Sequence, residues 1–313
     1  MSKSPDIPNS TPSTRYQRGN RWKWSVALFL VVTILLSGCA RPSQDPDTLQ
    51  PAERSATIQN KGSDTLVNLV LAWVEAYTAT HPDVRISVTG GGTGTGIAAM
   101  INGTVDIANA SREMTEVEFA AARANGIEPV EFVVAQDAIA VIVHPDNPVD
   151  NLTIQQVSDI FTGRITNWSE VGGEDRPIVL LSRESNSGTY IYFLENVIRM
   201  GDEDDDRLFS PDTLLMVSSE GIGVEVSQNR NAIGYDGLGY VTANQKVVAI
   251  SADEDGPFVL PSVETVNDGT YPISRPLYMY TAGEPTGQVK EFLDWVLTEG
   301  QSLVLDLGFV PLN

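Results

Sequence analysis

"VRISVTGGGTGTGIAAMING", residues 84–103, decides how this chain folds. A β-branched run reads as a strand, the glycines as a loop, and the apolar residues that follow as a short helix. Strand, loop and helix in that order form the unit of an α/β fold, whose ligands collect beyond the carboxyl ends of the strands.

The unit recurs on both sides. "TIQNKGSDTLVNLVLAWVEAYTATHP" (57–82) gives a short strand, a Gly-Ser-Asp turn, and Leu66, Leu69, Val70, Trp73, Val74 and Tyr77 at helical spacing. "VDIANASREMTEVEFAAARANG" (105–126) repeats the order, and Pro177 to Leu181 lead into "SRESNSGTYIYFLENVIRM" (182–200). Four such loops are expected to meet at one cleft. Two β-like runs, "VEFVVAQDAIAVIVHP" (130–145) and "RPLYMYT" (275–281), lack a helix at the usual distance and are expected to cross between two lobes.

Within the fourth unit, Arg183 stands just ahead of Ser187, Gly188 and Thr189 at a helix start. Free amides at a helix N-terminus and a forked guanidinium together suit an anion. The acidic run 201–207, "GDEDDDR", has the carboxylates for calcium but not the spacing of an EF-hand, and reads as solvated surface.

The chain has 313 residues, 42% of them apolar, enough for one large or two ordinary domains. Arg15, Arg18, Arg21 and Lys23 precede an apolar stretch from Trp24 to Leu36, the pattern of a secretory signal peptide and too short to span a membrane as a helix. Cys39, the chain's one cysteine, follows Leu36-Ser37-Gly38 and resembles the bacterial lipobox. That resemblance implies cleavage after residue 38, lipidation of Cys39 and a disulfide-free protein tethered outside the cytoplasm through 39–54. An ordinary signal peptide with an incidental cysteine is the alternative.

Removing residues 1–38 takes away Lys3, Arg15, Arg18, Arg21, Lys23 and Asp6, which leaves 15 basic against 40 acidic side chains, a net charge of −25. Such a surface excludes nucleic acid and anionic lipid as partners. It does not exclude a small anion, because salt screens surface fields beyond roughly 8 Å and donors inside a cleft decide local affinity.

The motifs "KGSDTL" (61–66), "GGGTGTGI" (90–97), "DIANASREMT" (106–115), "SRESNSGTY" (182–190) and "GYDGLGYV" (234–241), with "YPISRPLYMYT" and the terminal "GFVPL", resemble the phosphate-binding proteins of bacterial phosphate ABC transporters. They span most of the chain after the leader, in that family's order. The resemblance implies phosphate held between two lobes without metal or other cofactor, and delivery to the permease subunits of an importer. Carried over residue by residue, it implies a site of Ser63, Asp64 and Thr65; Thr93, Gly94 and Thr95; Ser111 and Arg112; and Arg183, Ser187, Gly188 and Thr189. Some members carry an aspartate where Arg112 stands, to accept the proton of bound phosphate. Asp64 is the nearest substitute here.

Each element also has a plainer reading. Ser63 and Asp64 suit a helix cap, Thr93 to Gly96 a tight turn with positive φ, and Arg112 and Arg183 surface ion pairs. No G-x-G-x-x-G register or P-loop lysine supports a nucleotide site. An enzyme would need a base, and His81 and His144 both precede proline, in "THPD" and "VHPD". No G-x-S-x-G elbow occurs, so a non-enzymatic binder is expected. Other readings are a binder of sulfate or molybdate and a phosphate sensor or adhesion lipoprotein.

The architecture expected is therefore a monomeric, two-lobed α/β binding protein, each lobe a mainly parallel sheet flanked by helices, with two crossover strands as hinge. Lobe 1 is expected over 55–136 with 272–313, and lobe 2 over 137–271.

Overall fold

The structure, a computed structural model, describes residues 57–312. The leader, Cys39 and the tether expected over 39–54 lie outside the described residues. Strands and helices alternate at first: β1 (Thr57–Gly62), a 3-10 turn at Asp64–Leu66, α1 (Val67–Thr80), β2 (Arg85–Thr89), α2 (Thr93–Ile101), β3 (Ile107–Ala110) and α3 (Glu116–Ala124). Then follow β4 (Val130–Val143), β5 (Asn151–Thr153), α4 (Ile154–Phe161), β6 (Val179–Arg183) and α5 (Gly188–Phe193), which runs on as one wide π turn over Leu194–Ile198. The chain closes with β7 (Leu214–Met216), α6 (Ser219–Gln228), β8 (Ala232–Gly237), β9 (Lys246–Ser251), α7 (Val263–Asn267), β10 (Ser274–Thr281) and α8 (Gly287–Val296).

The strands pair in the order β2-β1-β3-β10-β4-β8-β6-β7, with β9 bridging β4 and β5. Parallel pairing joins β2, β1 and β3 on one side, and β8, β6 and β7 on the other. β10 runs antiparallel to β3 and β4, and β4 runs antiparallel to β8. The 14 residues of β4 pair with β10 over Val130–Ala138 and with β8 over Ile139–Val143, so this one strand belongs to both lobes. The lobes are thus mixed rather than purely parallel, because a strand that returns through the hinge enters each lobe from the opposite end.

Two larger cores lie on either side of this strand. One packs Leu66, Trp73 and Tyr77 of the first unit against Leu277, Phe292 and Phe309. The other packs Ile139 and Val141 of β4 against Phe161, Trp168, Phe193 and Tyr235. The run at 201–207 is mostly exposed loop, tied down where Arg207 Nη1 donates to Ser158 Oγ at 2.9 Å.

The glycines of residues 90–96 do two different jobs. Gly91 and Gly92 have φ of 116° and 88°, which only glycine adopts cheaply. Gly96 instead lets α2 lie directly on β1: a Cβ there would sit 2.6 Å from both the Lys61 carbonyl oxygen and Gly62 Cα. Gly96→Ala is expected to cost about 1–3 kcal/mol of stability through this overpacking. Gly283→Ala, where nothing lies within 4 Å, is expected to be neutral. Urea-denaturation midpoints of the two variants check both.

Candidate anion-binding site

The loops that follow β1, β2, β3 and β6 converge. They bring together the hydroxyls of Thr65, Thr93, Ser111, Ser187 and Thr189, all at most 3% exposed. Thr65 Oγ1 lies 3.0 Å from Thr189 Oγ1, a contact between residues 124 apart in sequence. Thr93 Oγ1 lies 3.3 Å from Ser111 Oγ. Gly188 opens α5 against this pair: a Cβ on it would meet Thr93 Oγ1 at 2.4 Å and Ser111 Oγ at 2.6 Å, so the position has room only for hydrogen.

Fixed N–H groups already fill acceptor positions on three of these oxygens. Ser111 N donates to Thr93 Oγ1 at 3.0 Å. Ser187, the N-cap of α5, accepts from Thr189 N at 3.2 Å and Tyr190 N at 3.5 Å. Arg275 Nη2 donates to Thr189 Oγ1 at 2.8 Å. A hydroxyl that accepts from such a donor turns its own proton elsewhere. The cluster is therefore a set of directed O–H donors, the chemistry that recognises an oxyanion.

Asp64 and Arg183 form a latch beside it. Asp64 Oδ2 accepts from Arg183 Nη2 at 2.7 Å, Oδ1 accepts from Gly91 N at 3.0 Å, and the Asp64 carbonyl accepts from Tyr240 OH at 2.6 Å. Arg183 is 2% exposed, and it also donates to Met216 O at 3.3 Å, Ser219 Oγ at 2.9 Å and Val217 O at 3.1 Å. Only Nη1 keeps a hydrogen to spare. The expected proton-acceptor role of Asp64 thus meets a carboxylate whose two oxygens each already serve a donor.

Other expected residues fall differently. Arg112, next to Ser111, spends its Nη1 and Nη2 on other partners: each donates to Glu118 at 2.8 Å and Nη1 also donates to Glu113 O at 2.7 Å, while its buried Nε has no partner. The physical reason is local. Glu118 is the N3 residue of a capping box begun by Thr115, which fixes a carboxylate within reach of Arg112. Gly94 N donates to Asn186 O at 3.0 Å, and Thr95 Oγ1 accepts from Asn186 Nδ2 at 3.4 Å, so these two make the contact across the cleft with Asn186. Ser63 is buried and its amide donates to Asn109 O at 2.9 Å, but its side chain makes no capping bond.

Three charged residues of the site were not among those expected. Arg275 and Asp137 stand directly opposite each other on β10 and β4 and pair at 3.1 Å, both buried. Burial pushes the Asp137 carboxyl up, against the opposing pull of Arg275. Asp236, on β8, accepts from Gly237 N at 2.9 Å through Oδ1, while Oδ2 has no partner. Burial is the main cause that pushes Asp236 up to about 7, and the Ser219 hydroxyl and the Arg183 guanidinium pull the other way. The sequence signal for all three was a single charge inside an apolar strand.

Among the described residues no group of three or more His, Cys, Asp or Glu side chains is placed to hold a metal ion. Two lobes on a shared strand, with a buried donor cluster where their loops meet, define a solute-binding protein of the periplasmic type. Residues 48–299 match the model of the PBP superfamily domain. The chain belongs to that family, on the branch that holds the phosphate-binding proteins PstS. PstS of Pseudomonas aeruginosa is 36% identical over 285 residues, covering 85% of this chain and 86% of that protein. PstS of Bacillus subtilis is 33% identical, covering 88% of each. An X-ray structure from Clostridium perfringens, provisionally described as a phosphate ABC transporter substrate-binding protein and holding phosphate, is 33% identical with a TM-score of 0.74, covering 82% of this chain and all of that one.

Asp236 carries a prediction about stability. Its folded value of about 7 lies above the ordinary 3.8, so the folded chain keeps a proton that the unfolded chain releases. Its contribution to stability therefore declines as pH rises from about 4 to about 7 and then levels off. Asp236→Asn removes the decline. The melting temperature of the variant relative to the parent is expected to rise between about pH 5 and about pH 8, measured by paired thermal melts.

Proposed function

We infer that this chain captures inorganic phosphate in the buried hydroxyl cluster and hands it to the permease of an ABC importer. One observation carries the reading. Five buried hydroxyls from four separate loops meet at one point, and three of them already accept from fixed N–H donors. Such a pocket suits a tetrahedral oxyanion, and the Clostridium perfringens relative holds phosphate.

In this reading Thr65, Thr93, Ser111, Ser187 and Thr189 contact the anion through their side chains, and Gly188 allows its close approach. Arg183 offers its remaining Nη1 hydrogen while Asp64 fixes its position. Hydrogen bonds to a charged group contribute about 1.5–3 kcal/mol each, so a handful of them is on the scale of the roughly 8 kcal/mol of a micromolar complex.

The chain acts as a binder rather than an enzyme. Neither histidine stands ready as a base in the cluster: His81 stacks on Tyr77 with centroids 4.0 Å apart, and His144 Nδ1 accepts from Asp146 N at 3.0 Å. We place the lobes at 55–136 with 272–313 and at 137–271, which the two cores on either side of β4 support. The lipobox-like Cys39 supports a protein anchored by lipid outside the cytoplasm, and no described helix is long and apolar enough to cross a membrane.

Titration calorimetry on protein stripped of phosphate tests the reading. Thr93→Val and Ser111→Ala are expected to weaken phosphate binding by at least about tenfold, with circular dichroism unchanged. Arg112→Ala, which removes a guanidinium bound to Glu118 and Glu113, is expected to stay within about twofold. Full affinity in both hydroxyl variants would refute the pocket, and heat from sulfate equal to that from phosphate would make the ligand an oxyanion in general.

A further inference from the structure

Arg275 is 2% exposed, and its guanidinium joins three parts of the molecule. Nη2 donates to Asp137 Oδ2 at 3.1 Å on the shared strand β4 and to Thr189 Oγ1 at 2.8 Å on α5. Nη1 donates to the Ser111 carbonyl at 2.7 Å on the loop after β3. The Tyr192 ring lies 5.4 Å from its Cζ, which leaves little freedom to swing. A buried cation held this way is costly unless each contact is kept.

What the arginine does to Thr189 follows from proton counting. A threonine hydroxyl has one proton and two acceptor positions. With Arg275 on one acceptor position, Thr189 passes its proton to Thr65 Oγ1 at 3.0 Å, and Thr65 passes its own onward, or Thr65 donates to Thr189 and Thr189 passes its proton onward. Either way the pair ends in an O–H that points out of the chain of bonds, at the end polarised by a guanidinium. Bonds linked in sequence strengthen one another. The Ser111 carbonyl is tied to the same guanidinium, which holds the Ser111 hydroxyl in register with Thr93.

We propose that Arg275 is a positioning residue of the anion pocket, which acts through Thr189 and Ser111 rather than by touching the anion. Asp137 is its anchor. Directly opposite on the neighbouring strand, it neutralises the guanidinium and fixes its height in the hinge. Arg183 and Arg275 then divide the work: the first latches the cleft through Asp64, and the second sets the direction of the donors inside it.

This inference rests on phosphate as the ligand, so the parent protein is titrated with inorganic phosphate first. If the parent fails to bind, the ligand assignment falls before Arg275 is reached. Arg275 alone is a hazardous target, because its loss leaves Asp137 buried and unpaired. The principal variant is therefore Asp137→Asn with Arg275→Gln, a neutral pair of similar volume, checked for folding by circular dichroism and a cooperative melt.

The neutral pair is expected to bind phosphate about 10- to 100-fold more weakly, the loss of one charge-assisted donor chain. Thr189→Val alone is expected to weaken binding too, but its combination with the neutral pair should lose much less than the product of the two effects, because both cut the same chain. Arg275→Lys, which keeps a cation able to reach Asp137 and Thr189, is expected to recover part of the affinity lost in the neutral pair. A folded neutral pair with parental affinity would overturn the proposal. So would losses that multiply fully with Thr189→Val, since that is the result of a scaffold role without coupling to the hydroxyl.

Discussion

An oxyanion taken out of water must find there, ready made, what water supplied. Bringing a small ion into a medium of low polarity costs on the order of 20 kcal/mol in the idealised limit and several kcal/mol in real proteins. Only donors that already point at the ligand offset that, because donors that must first reorient spend the energy they would contribute. Here the hydroxyls of Thr93, Ser187 and Thr189 are oriented by N–H groups behind them. The fold can be read as the means of bringing such pre-set hydroxyls to one point from loops that follow β1, β2, β3 and β6.

The charges around the cluster fit the same constraint. Arg183 is matched by Asp64 and Arg275 by Asp137, while burial pushes Asp236 up to about 7, so that it carries only part of a negative charge near neutral pH. The surroundings are thus close to neutral before a ligand enters, although the sequence as a whole carries a formal charge of −21. Surface acidity and local donor chemistry are separable because the pocket is buried and the surface is screened. The two guanidiniums are not equivalent. Arg183 reaches across the cleft, and Arg275 lies under it in the hinge.

Glycines, hydroxyl residues and apolar runs made most of the fold legible from the sequence. "GGGTGTG" had to be a turn, the periodicity of Leu66 to Tyr77 had to be a helix, and β4 stood out as a long β-like run with no helix at the usual distance. The hydroxyls were legible for the same reason, since the small residues after each strand are local features. Arginines were not. The direction of Arg112 is decided by Glu118, six residues on, and reading "TEVE" at 115–118 as a capping box would have revealed it. Arg275 pairs with Asp137 across 138 positions, through a strand register that no local pattern contains. What sequence did offer was the oddity of one acid in "VVAQDAIAVIV" and one base in "ISRPLYMY", a sign of pairing without a partner's name.

Function requires the cleft to open as well as to close, which limits how strong the latches across it can be. Among the contacts that join the two sides are Asp64 with Arg183, Thr65 with Thr189, Asn186 with the loop at Gly91 to Thr95, and Tyr240 with the Asp64 carbonyl. All are polar, Asp64 is partly open to solvent, and Asn186 lies at an exposed edge. Such bonds are worth about 0.5–1.5 kcal/mol each net, because opening the cleft returns both partners to water. A handful of them nearly balances the hydration regained on opening, so closure without ligand is neither forbidden nor locked. The anion then decides the equilibrium, since a ligand shifts two states only by the difference in its affinity for them. A cleft joined by apolar packing would close for nothing and release nothing. Polar latches around a directed donor cluster make closure report on the presence of the anion, which is what a protein that captures a solute and later surrenders it must do.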